Sequence, residues 1–292
     1  LGPTAPEYTG ELLDRDLTQT VGDAETGLAF ARGAEARGGT LKVHLKVDTG
    51  MSRLGFLCNE ASMDASVADI ARICALPGLR AEGIFTHFSD ADGSEEYTMC
   101  QFTRFLDTLD KLAARGVRFE IRHCAASAAV LNYPCTHMDM IRPGVALYGY
   151  YPAPGMEGLD GPGLEPVMTV KSRIAAVRAL PKGTCVSYGC TATLERDSRL
   201  AVVPIGYGDG YPRGLSNRMT MKIRGQECPV VGRICMDMCM VDVTDVPDAA
   251  AGDEAVVYDG PLMERAAQLT DTIVYELMCH IAPRIPRVYL GA

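Results

Sequence analysis

Four groups of ionisable and glycine-containing residues stand out in the sequence, because each follows a run that reads as a β-strand. They are the segments 44–53, 86–88, 123–127 and 142–145. Ser127 opens a helical stretch, where a hydroxyl and free backbone N–H groups favour a phosphate. Arg142 is followed by Pro143 and Gly144, so a fixed guanidinium lies beside a residue that lets an anion approach the backbone. These residue types predict a pocket that holds an anion.

A second set of motifs, rich in tyrosine and glycine, occupies segments 186–189, 206–211 and 232–237. Taken singly, most of these residues have an ordinary structural explanation. Arg53 alone would be a salt-bridge partner, and Tyr188 alone would be a packed aromatic side chain. A functional site is indicated because four polar groups fall on successive strand ends, where one pocket would gather them.

The first half of the chain alternates strands and helices, which predicts a parallel sheet with crossover helices. The predicted strands are 18–21, 41–47, 79–88, 119–123 and 138–149, and the predicted helices are 6–16, 23–37, 59–76, 99–115 and 127–131. In a (β/α) barrel the loops after the strands build the active site, and about eight strands close the barrel. Residues 1–3 read as the end of an earlier strand, so the chain is expected to lack the first strands of the barrel.

After Tyr151 the pattern changes to a connector rich in glycine and proline, 152–163, followed by short β runs separated by turns. The predicted strands are 167–176, 200–203, 219–224, 229–231, 238–243 and 254–258, and a late helix is predicted at 270–279. The predicted fold class is therefore α/β plus β. A partial (β/α)8 barrel of the TIM type spans residues 1–155, and a mostly β C-terminal domain spans residues 156–292.

Composition excludes several classes of protein. The net charge of −9 disfavours a nucleic-acid partner, and no apolar run reaches the about 18 residues of a membrane span. No secretory leader opens the sequence, which predicts a cytoplasmic location. Eleven cysteines without a C-x-x-C pair indicate buried, reduced thiols rather than a disulfide scaffold or a metal site. Cys124, Cys185, Cys235 and Cys239 lie in apolar runs.

Taken together and in order, seven motifs resemble the alanine racemases, which are pyridoxal-phosphate enzymes built from a barrel and a β domain. The motifs are HLKVDTGMSRLG, THFSDAD, HCAASAA, MIRPGVALYG, VSYGCTAT, PIGYGDGYPR and VGRICMDMCMVDV. They cover nearly the whole chain, so the resemblance does not depend on one short pattern. It implies pyridoxal 5'-phosphate as cofactor and alanine as substrate.

The resemblance also implies roles for residues of the first half. Arg142 matches the arginine that faces the pyridine nitrogen of the cofactor, and His123 matches the histidine that orients this arginine. The phosphate cradle corresponds to Ser127, Gly144 and Val145. Arg53 matches the arginine near the phenolic oxygen of the cofactor and the substrate carboxylate, and Lys46 matches a lysine that is carbamylated in some members.

For the reaction itself, the resemblance implies two bases on opposite faces of the substrate. Tyr188 matches the catalytic tyrosine, and His87 matches the histidine that orients it. Met236 and Asp237 match residues at the substrate pocket. The family's tyrosine reaches the cofactor of the other subunit, which implies a homodimer with shared active sites. The channel that admits small amino acids corresponds to Tyr207, Arg213, Arg233 and Asp92.

One departure concerns the second base, which in the family is the lysine that forms a Schiff base with the cofactor. Its motif, a lysine followed a few residues later by Tyr-Gly-His, does not occur in these 292 residues. We therefore expect the printed chain to be a partial sequence and to lack racemase activity by itself. Pro283 and Ala126 stand where some members have a tyrosine and an asparagine, which weakens the match at the phosphate.

Three alternatives stay open at this point. A serine or broad-specificity amino-acid racemase would share the fold, and the side chain at Met236 would discriminate it from an alanine racemase. A basic amino-acid decarboxylase of the same fold fits the motifs around Tyr188 and Met236 less well. A catalytically inert fragment or dimer-forming remnant is the third. The favoured interpretation is racemisation of L-alanine to D-alanine for bacterial peptidoglycan.

Overall fold

The computed structural model describes residues 1–156 and 163–291, and it divides into two compact units. The first unit contains Leu1–Leu147 with Tyr151–Gly163, and the second contains Tyr148–Tyr150 with Leu164–Ala292. Part of the predicted connector, residues 157–162, lies outside the described residues. Each unit is built around its own sheet.

The first unit is an alternation of strands and helices. Its strands are β1 (Gln19–Val21), β2 (Leu41–Asp48), β3 (Phe56–Leu57), β4 (Leu79–Phe85) and β5 (Ile121–His123). Its α-helices are α1 (Thr9–Asp14), α2 (Ala24–Glu35), α3 (Met63–Cys74), α4 (Glu95–Ala114) and α5 (Ser127–Asn132). The sheet order is β1-β2-β4-β5, with β3 paired to β2, and every pair is parallel. The predicted parallel sheet with crossover helices is confirmed.

Strand β2 shows why this sequence forms the centre of the sheet. The apolar side chains of its alternating sequence, Leu41, Val43, Leu45 and Val47, are all buried in the core of the unit. Towards its carboxyl end the polar positions are buried as well, which is typical of a parallel strand covered on both faces. The strand therefore carries Lys46 and Asp48 into a protected environment at its end.

The strand predicted at residues 138–149 is wrong. The segment makes only an isolated parallel bridge between Ala126 and Arg142, and Val145–Tyr148 forms a 3₁₀ turn. Pro143 has no N–H to donate to a ladder, which limits pairing to a single residue. The amide of Arg142 still donates to Ala125 O at 2.9 Å, so the segment lies alongside the end of β5 without extending the sheet.

Two helix starts and the strand end at residues 1–3 also differ from prediction. Helix α3 begins at Met63 rather than at residue 59, because the Asn59 side chain accepts from the amides of Ala61 and Ser62 in a preceding turn. Helix α4 begins at Glu95 rather than at residue 99, since Ser94 caps it. Residues 1–3 form no strand.

The second unit is mostly β, as predicted. Its strands are β6 (Val170–Arg173), β7 (Ala176–Leu180), β8 (Cys185–Val186), β9 (Ala192–Thr193), β10 (Ser198–Val203), β11 (Thr220–Ile223), β12 (Gln226–Val231), β13 (Cys239–Asp242) and β14 (Glu254–Tyr258). Seven of them form one sheet in the order β6-β14-β11-β12-β13-β10-β7, and β8 pairs with β9. All pairs are antiparallel.

Two helices, α6 (Gly260–Leu269) and α7 (Val274–His280), complete the second unit. Helix α6 was not predicted, although Asp259 caps it and a proline stands in its first turn. The late helix was predicted from residue 270, whereas α7 begins at Val274. The order of the two units, an α/β unit followed by a mostly β unit, therefore agrees with the predicted fold class.

The eleven cysteines are all free thiols. Cys124 and Cys239 are buried as predicted, but Cys185 is exposed and Cys235 is half-buried, so the prediction of burial is wrong for these two. Within residues 1–156 and 163–291, no helix has the length and apolar character needed to cross a bilayer. The same residues contain no cluster of three His, Cys, Asp or Glu side chains suited to a metal ion.

Candidate active site

The polar residues that the sequence singles out in the first unit gather at one edge of its sheet. Lys46 and Asp48 end β2, His87 lies two residues beyond β4, and His123 ends β5. Arg142 is bridged to the residue that precedes α5. Parallel strands present their carboxyl ends at the same edge, so residues far apart in sequence become neighbours.

Arg142 is the centre of this group. Its guanidinium donates to His123 Nδ1 at 2.6 Å, to His87 Nδ1 at 3.1 Å, and to the carbonyl oxygens of Thr86 and Cys124 at 3.0 and 3.2 Å. Each of these acceptors is uncharged, and in the described part of the chain Arg142 forms no ion pair with a carboxylate. Burial lowers the pKa of Arg142 to about 10, so the group keeps its charge at neutral pH.

The two histidines bound to Arg142 are neutral and have a defined tautomer. Burial, followed by the charge of Arg142, lowers the pKa of His87 to about 4 and that of His123 to about 3. A guanidinium can only donate, so Nδ1 of each ring must be the acceptor and the ring proton must lie on Nε2. Arg142 therefore makes both histidines N–H donors on the side away from itself.

Ser127 links the start of α5 to the segment after Arg142. Its buried hydroxyl oxygen accepts from the amides of Gly144 and Ala146 at 2.7 and 3.3 Å, which leaves the hydroxyl proton to donate. A Cβ at Gly144 would find only Ser127 Oγ, at 3.8 Å, within contact distance. The space beside Gly144 is therefore open to a ligand atom, whereas the side chain of Val145 is buried.

Lys46 is a buried cation in the same group. Only 4% of Lys46 is exposed, and no described carboxylate pairs with its ammonium. Burial lowers its pKa, and the charges of Arg53 and Arg142 lower it further, while Asp48 acts in the opposite direction. Arg53 is exposed and follows a loop that Asp48 holds by accepting from the amides of Gly50 and Ser52. The group is thus strongly cationic.

Asp92, which the resemblance assigns to the substrate entry channel, lies apart from the contacts around Arg142. It is exposed in the turn that precedes α4.

His44 opens the segment 44–53, and no role of its own was predicted for it. It joins the group around Arg142 through a 2.8 Å hydrogen bond between its Nδ1 and His123 Nε2. Its place in an alternating strand, two residues before Lys46, was the available signal.

In the second unit, Tyr188 lies in the turn between β8 and β9 and is 69% exposed. Ser187, Gly189 and Cys190 all have positive φ angles, of 62°, 71° and 46°. Such conformations are strained for residues other than glycine and often occur at functional sites. Ser187 Oγ donates to Arg233 O at 2.6 Å, which ties the turn to the loop after β12.

Met236 and Asp237 are both exposed and lie in the loop between β12 and β13. The amide of Gly208 donates to Met236 O at 2.8 Å, and the amide of Tyr207 donates to Cys235 O at 3.1 Å. The segment 206–211 is thereby held against the loop between β12 and β13. Arg213 is exposed at the start of a 3₁₀ turn after this segment.

Arg284 was not among the predicted site residues. Its Nη2 donates to Asp237 and its Nε donates to the buried Asp209, each at 2.8 Å.

Near Tyr188 the second unit also has a pocket of about 420 Å³, which is lined by Ser187, Val202, Cys235, Met238, Met240 and others. Tyr188 therefore presents its phenol beside an apolar recess.

Two family models match the chain in succession. "Alanine racemase, N-terminal domain" matches residues 1–152, and "Alanine racemase, C-terminal domain" matches residues 167–289. The chain belongs to the alanine racemase family. It is therefore an amino-acid racemase, which is an isomerase, and the family predicted from its motifs is confirmed.

Individual alanine racemases agree with this assignment. The enzyme of Desulforamulus reducens is 43% identical over 296 residues, an alignment that covers 100% of this chain and 78% of the relative. The enzyme of Desulfovibrio desulfuricans is 44% identical over 295 residues, covering 99% and 77%. The solved alanine racemase of Clostridium difficile 630 superposes with a TM-score of 0.94 at 37% identity, covering 99% of this chain and 75% of that one. The predicted fold class is confirmed.

Proposed function

We propose that this alanine racemase family member interconverts L- and D-alanine with pyridoxal 5'-phosphate by a two-base mechanism in which Tyr188 is one base. The observation that carries the proposal is the group around Arg142. A guanidinium that has no acidic partner among the described residues is bonded to two neutral histidines, beside Lys46 and Arg53. Such a group favours a ligand with a phosphate, an aromatic nitrogen that accepts, and a carboxylate substrate.

The residues of the first unit fit this cofactor. Arg142 would face the pyridine nitrogen, with His123 holding the guanidinium in place. Ser127, Gly144 and Val145 would hold the phosphate, because the Ser127 proton and the open side of Gly144 are available to it. Arg53 would approach the phenolic oxygen. When bound, pyridoxal phosphate would supply an electron sink that makes the Cα proton of an amino acid acidic.

Arg142 also sets the strength of that chemistry. Since a guanidinium cannot accept a proton, it would keep the pyridine nitrogen unprotonated, whereas a carboxylate partner would favour the protonated ring. By keeping the ring unprotonated, Arg142 would suppress side reactions such as transamination, which need a stronger electron sink.

Inversion at Cα requires a proton to leave one face and another to arrive on the opposite face. Tyr188 would remove the proton from L-alanine. A free phenol has a pKa of about 10, so the base form needs stabilisation. His87 would provide it, because Arg142 fixes His87 as an Nε2–H donor that could hydrogen-bond to the phenolate. The opposite face is assigned to the lysine that the family uses.

The quaternary arrangement belongs to the same proposal. The domain of residues 1–155 would bind the cofactor, and the domain of residues 156–292 would supply Tyr188 to the cofactor of a partner in a homodimer. The exposure of Tyr188 and the positive φ angles of its neighbours Ser187 and Cys190 support a role outside its own unit. Tyr207, Arg213, Arg233 and Asp92 would line the channel through which alanine reaches the site.

Substrate choice would rest on Arg53 for the carboxylate and on Met236 and Asp237 for the side chain. The thioether of Met236 favours the methyl group of alanine over the hydroxyl of serine. A serine or broad-specificity racemase is therefore the second candidate. The product would supply D-alanine for peptidoglycan in a bacterial cytoplasm. Membership of the alanine racemase family supports this role.

The proposal is tested by following exchange of the Cα proton and inversion of L-alanine in D₂O by NMR and chiral chromatography. The protein is expressed from its complete reading frame with pyridoxal phosphate. Tyr188→Phe should lower kcat for inversion of L-alanine by about 10²–10⁴-fold, the usual contribution of a general base. Tyr8→Phe, at an exposed tyrosine of the first unit, is the control. Full activity of Tyr188→Phe would reject the assignment of this base.

A further inference from the structure

We infer that His44, on β2, is a positioning residue that fixes the tautomer of His123 and, through it, the orientation of Arg142. His44 would not touch the cofactor or the substrate. Its catalytic consequence rests on the proposed function, because Arg142 matters only if it faces a bound ligand. The hydrogen bonds that carry the inference join protein side chains only.

The inference follows from counting protons along the chain Arg142–His123–His44. Arg142 donates to His123 Nδ1 at 2.6 Å, so the single proton of the neutral His123 ring is on Nε2. His123 Nε2 lies 2.8 Å from His44 Nδ1, so it donates there and His44 Nδ1 must be an acceptor. His44 is then neutral as well, with its own proton on Nε2. Each ring has one arrangement that satisfies its neighbour.

The packing around His44 keeps its ring in this place. His44 pairs with Thr20 of β1 on one side and with Gly83 of β4 on the other. A Cβ at residue 83 would lie 2.6 Å from Cε1 of the His44 ring. The ring therefore lies against the backbone of β4 at Gly83, where only glycine leaves room for it. His123 in turn stacks on Phe85 with ring centroids 4.6 Å apart and an interplanar angle of 7°.

No solvent can replace His44 as the acceptor, because His123 is fully buried. Burial lowers the pKa of His44, and the nearby carboxylate of Glu82 opposes this only in part. Without His44, the Nε2–H of His123 would be buried and unsatisfied. The ring could avoid this only by moving its proton to Nδ1, which would remove the acceptor for Arg142.

The first test reads the tautomers directly. The chain has five histidines, so ¹⁵N-histidine labelling resolves each ring by long-range ¹H–¹⁵N correlation spectroscopy. At pH 7, His44 and His123 should both be neutral with the proton on Nε2. A proton on Nδ1 of His123, or a charged His44, would overturn the inference. This readout does not depend on whether the cofactor binds.

The second test measures the consequence for ligand binding. His44→Phe keeps an aromatic ring but removes the acceptor, and we expect it to weaken pyridoxal-phosphate binding about tenfold and to change the His123 tautomer. His44→Asn restores an acceptor near Nδ1 and should recover most of the affinity. Gly83→Ala, which displaces the ring, should act like His44→Phe.

His137→Phe serves as the matched control, since its ring hydrogen-bonds to the nearby carbonyl of Val130 and not, among the described residues, to Arg142 or His123. Wild-type affinity in His44→Phe, or equal losses in His44→Phe and His44→Asn with an unchanged His123 tautomer, would contradict the inference. Failure of the wild-type protein to bind pyridoxal phosphate would instead reject the proposed function, and the tautomer measurement would still decide the role of His44.

Discussion

At the scale of single residues, the site is defined by charge and proton placement rather than by shape. Arg142 stays charged although it is half-buried, because four neutral acceptors replace part of its water shell. The same contacts dictate which nitrogen of His87 and His123 carries a proton. One arginine thus sets the hydrogen-bonding character of two further side chains.

The modification of Lys46 gives a prediction at this scale. A depressed pKa raises the fraction of neutral amine, which can add CO₂ to give a carbamate and release one proton. The carbamate would place a negative charge near Arg53 and Arg142. In ¹³C-bicarbonate at pH 8 we expect one protein-bound carbamate resonance in the ¹³C spectrum, and Lys46→Arg should abolish it.

Lys42 provides the matched control for this experiment. It lies on the same strand, but its ammonium is paired with Asp16 at 2.7 Å. Lys42→Arg should therefore keep the carbamate resonance. A signal that persists in Lys46→Arg would mean that a different amine is modified.

Substrate choice can be tested at Met236. A polar side chain at this position should accommodate a hydroxyl better than the thioether does, so Met236→Ser should raise the ratio of kcat/KM for L-serine over L-alanine by about tenfold. Steady-state rates for the two amino acids give the ratio. Ile273→Ser, at an exposed apolar residue that precedes α7, should leave it unchanged. Equal ratios in both variants would remove Met236 from the substrate pocket.

The sequence was informative about which residues belong together and uninformative about how they bond. Strand ends could be read from the alternation of apolar residues, so the grouping of Lys46, His87 and His123 was predictable, whereas Arg142 lies in a segment that forms no strand. The role of His44 was not, because a tautomer depends on burial and on partners from other strands. Arg284 was missed for a similar reason, since its two aspartate partners are 75 and 47 residues away.

At the scale of elements, the same distinction explains which parts of the fold were predictable. The β2 strand and the alternation around it follow from local patterns of buried and exposed residues. The segment 138–149 was read as a strand because it is apolar, but its pairing is decided by Pro143 and by contacts with the end of β5. Propensity predicts an element, whereas pairing depends on partners distant in sequence.

The turn that presents Tyr188 gives a prediction about a loop contact. Gly232 has a φ of +77°, and a Cβ there would lie 2.7 Å from Val186 O at the end of β8. Gly232→Ala should therefore destabilise the protein by about 2–4 kcal/mol, since left-handed strain and a steric clash add. Urea denaturation measures the change, and kcat should fall as the Tyr188 turn is displaced.

Gly225 separates these two contributions. It also has a positive φ, of +80°, but a Cβ there meets nothing within 4 Å. Gly225→Ala should cost about 1 kcal/mol from backbone strain alone and leave kcat unchanged. Similar losses of stability in both variants would show that the contact between the loop and β8 contributes little.

At the scale of the whole molecule, the half-buried His87 and the buried His123 make stability depend on pH. His87 and His123 have folded-state pKa values of about 4 and 3, below the usual 6.5, so between pH 6.5 and 4 the unfolded chain binds more protons than the folded one. Stability is fully present above pH 6.5 and falls as the pH is lowered. Each histidine adds a slope of up to about 1.4 kcal/mol per pH unit.

Guanidinium denaturation at pH 7, 6 and 5 tests this dependence. His87→Gln should reduce the slope, because glutamine does not titrate. His280→Gln, at an exposed position in α7, should keep it. A wild-type free energy of unfolding that is constant from pH 7 to 5 would contradict the assignment of neutral, buried rings.

The neutrality of these rings also bears on how kinetic data for this enzyme should be interpreted. An acidic limb near pH 6 in a rate profile is commonly attributed to an imidazole, but here His44, His87 and His123 all titrate below their ordinary range. Such a limb would have to report an ionisation other than that of these three rings. The histidines would act as a fixed electrostatic background, so their substitution should alter the height of the profile more than its midpoints.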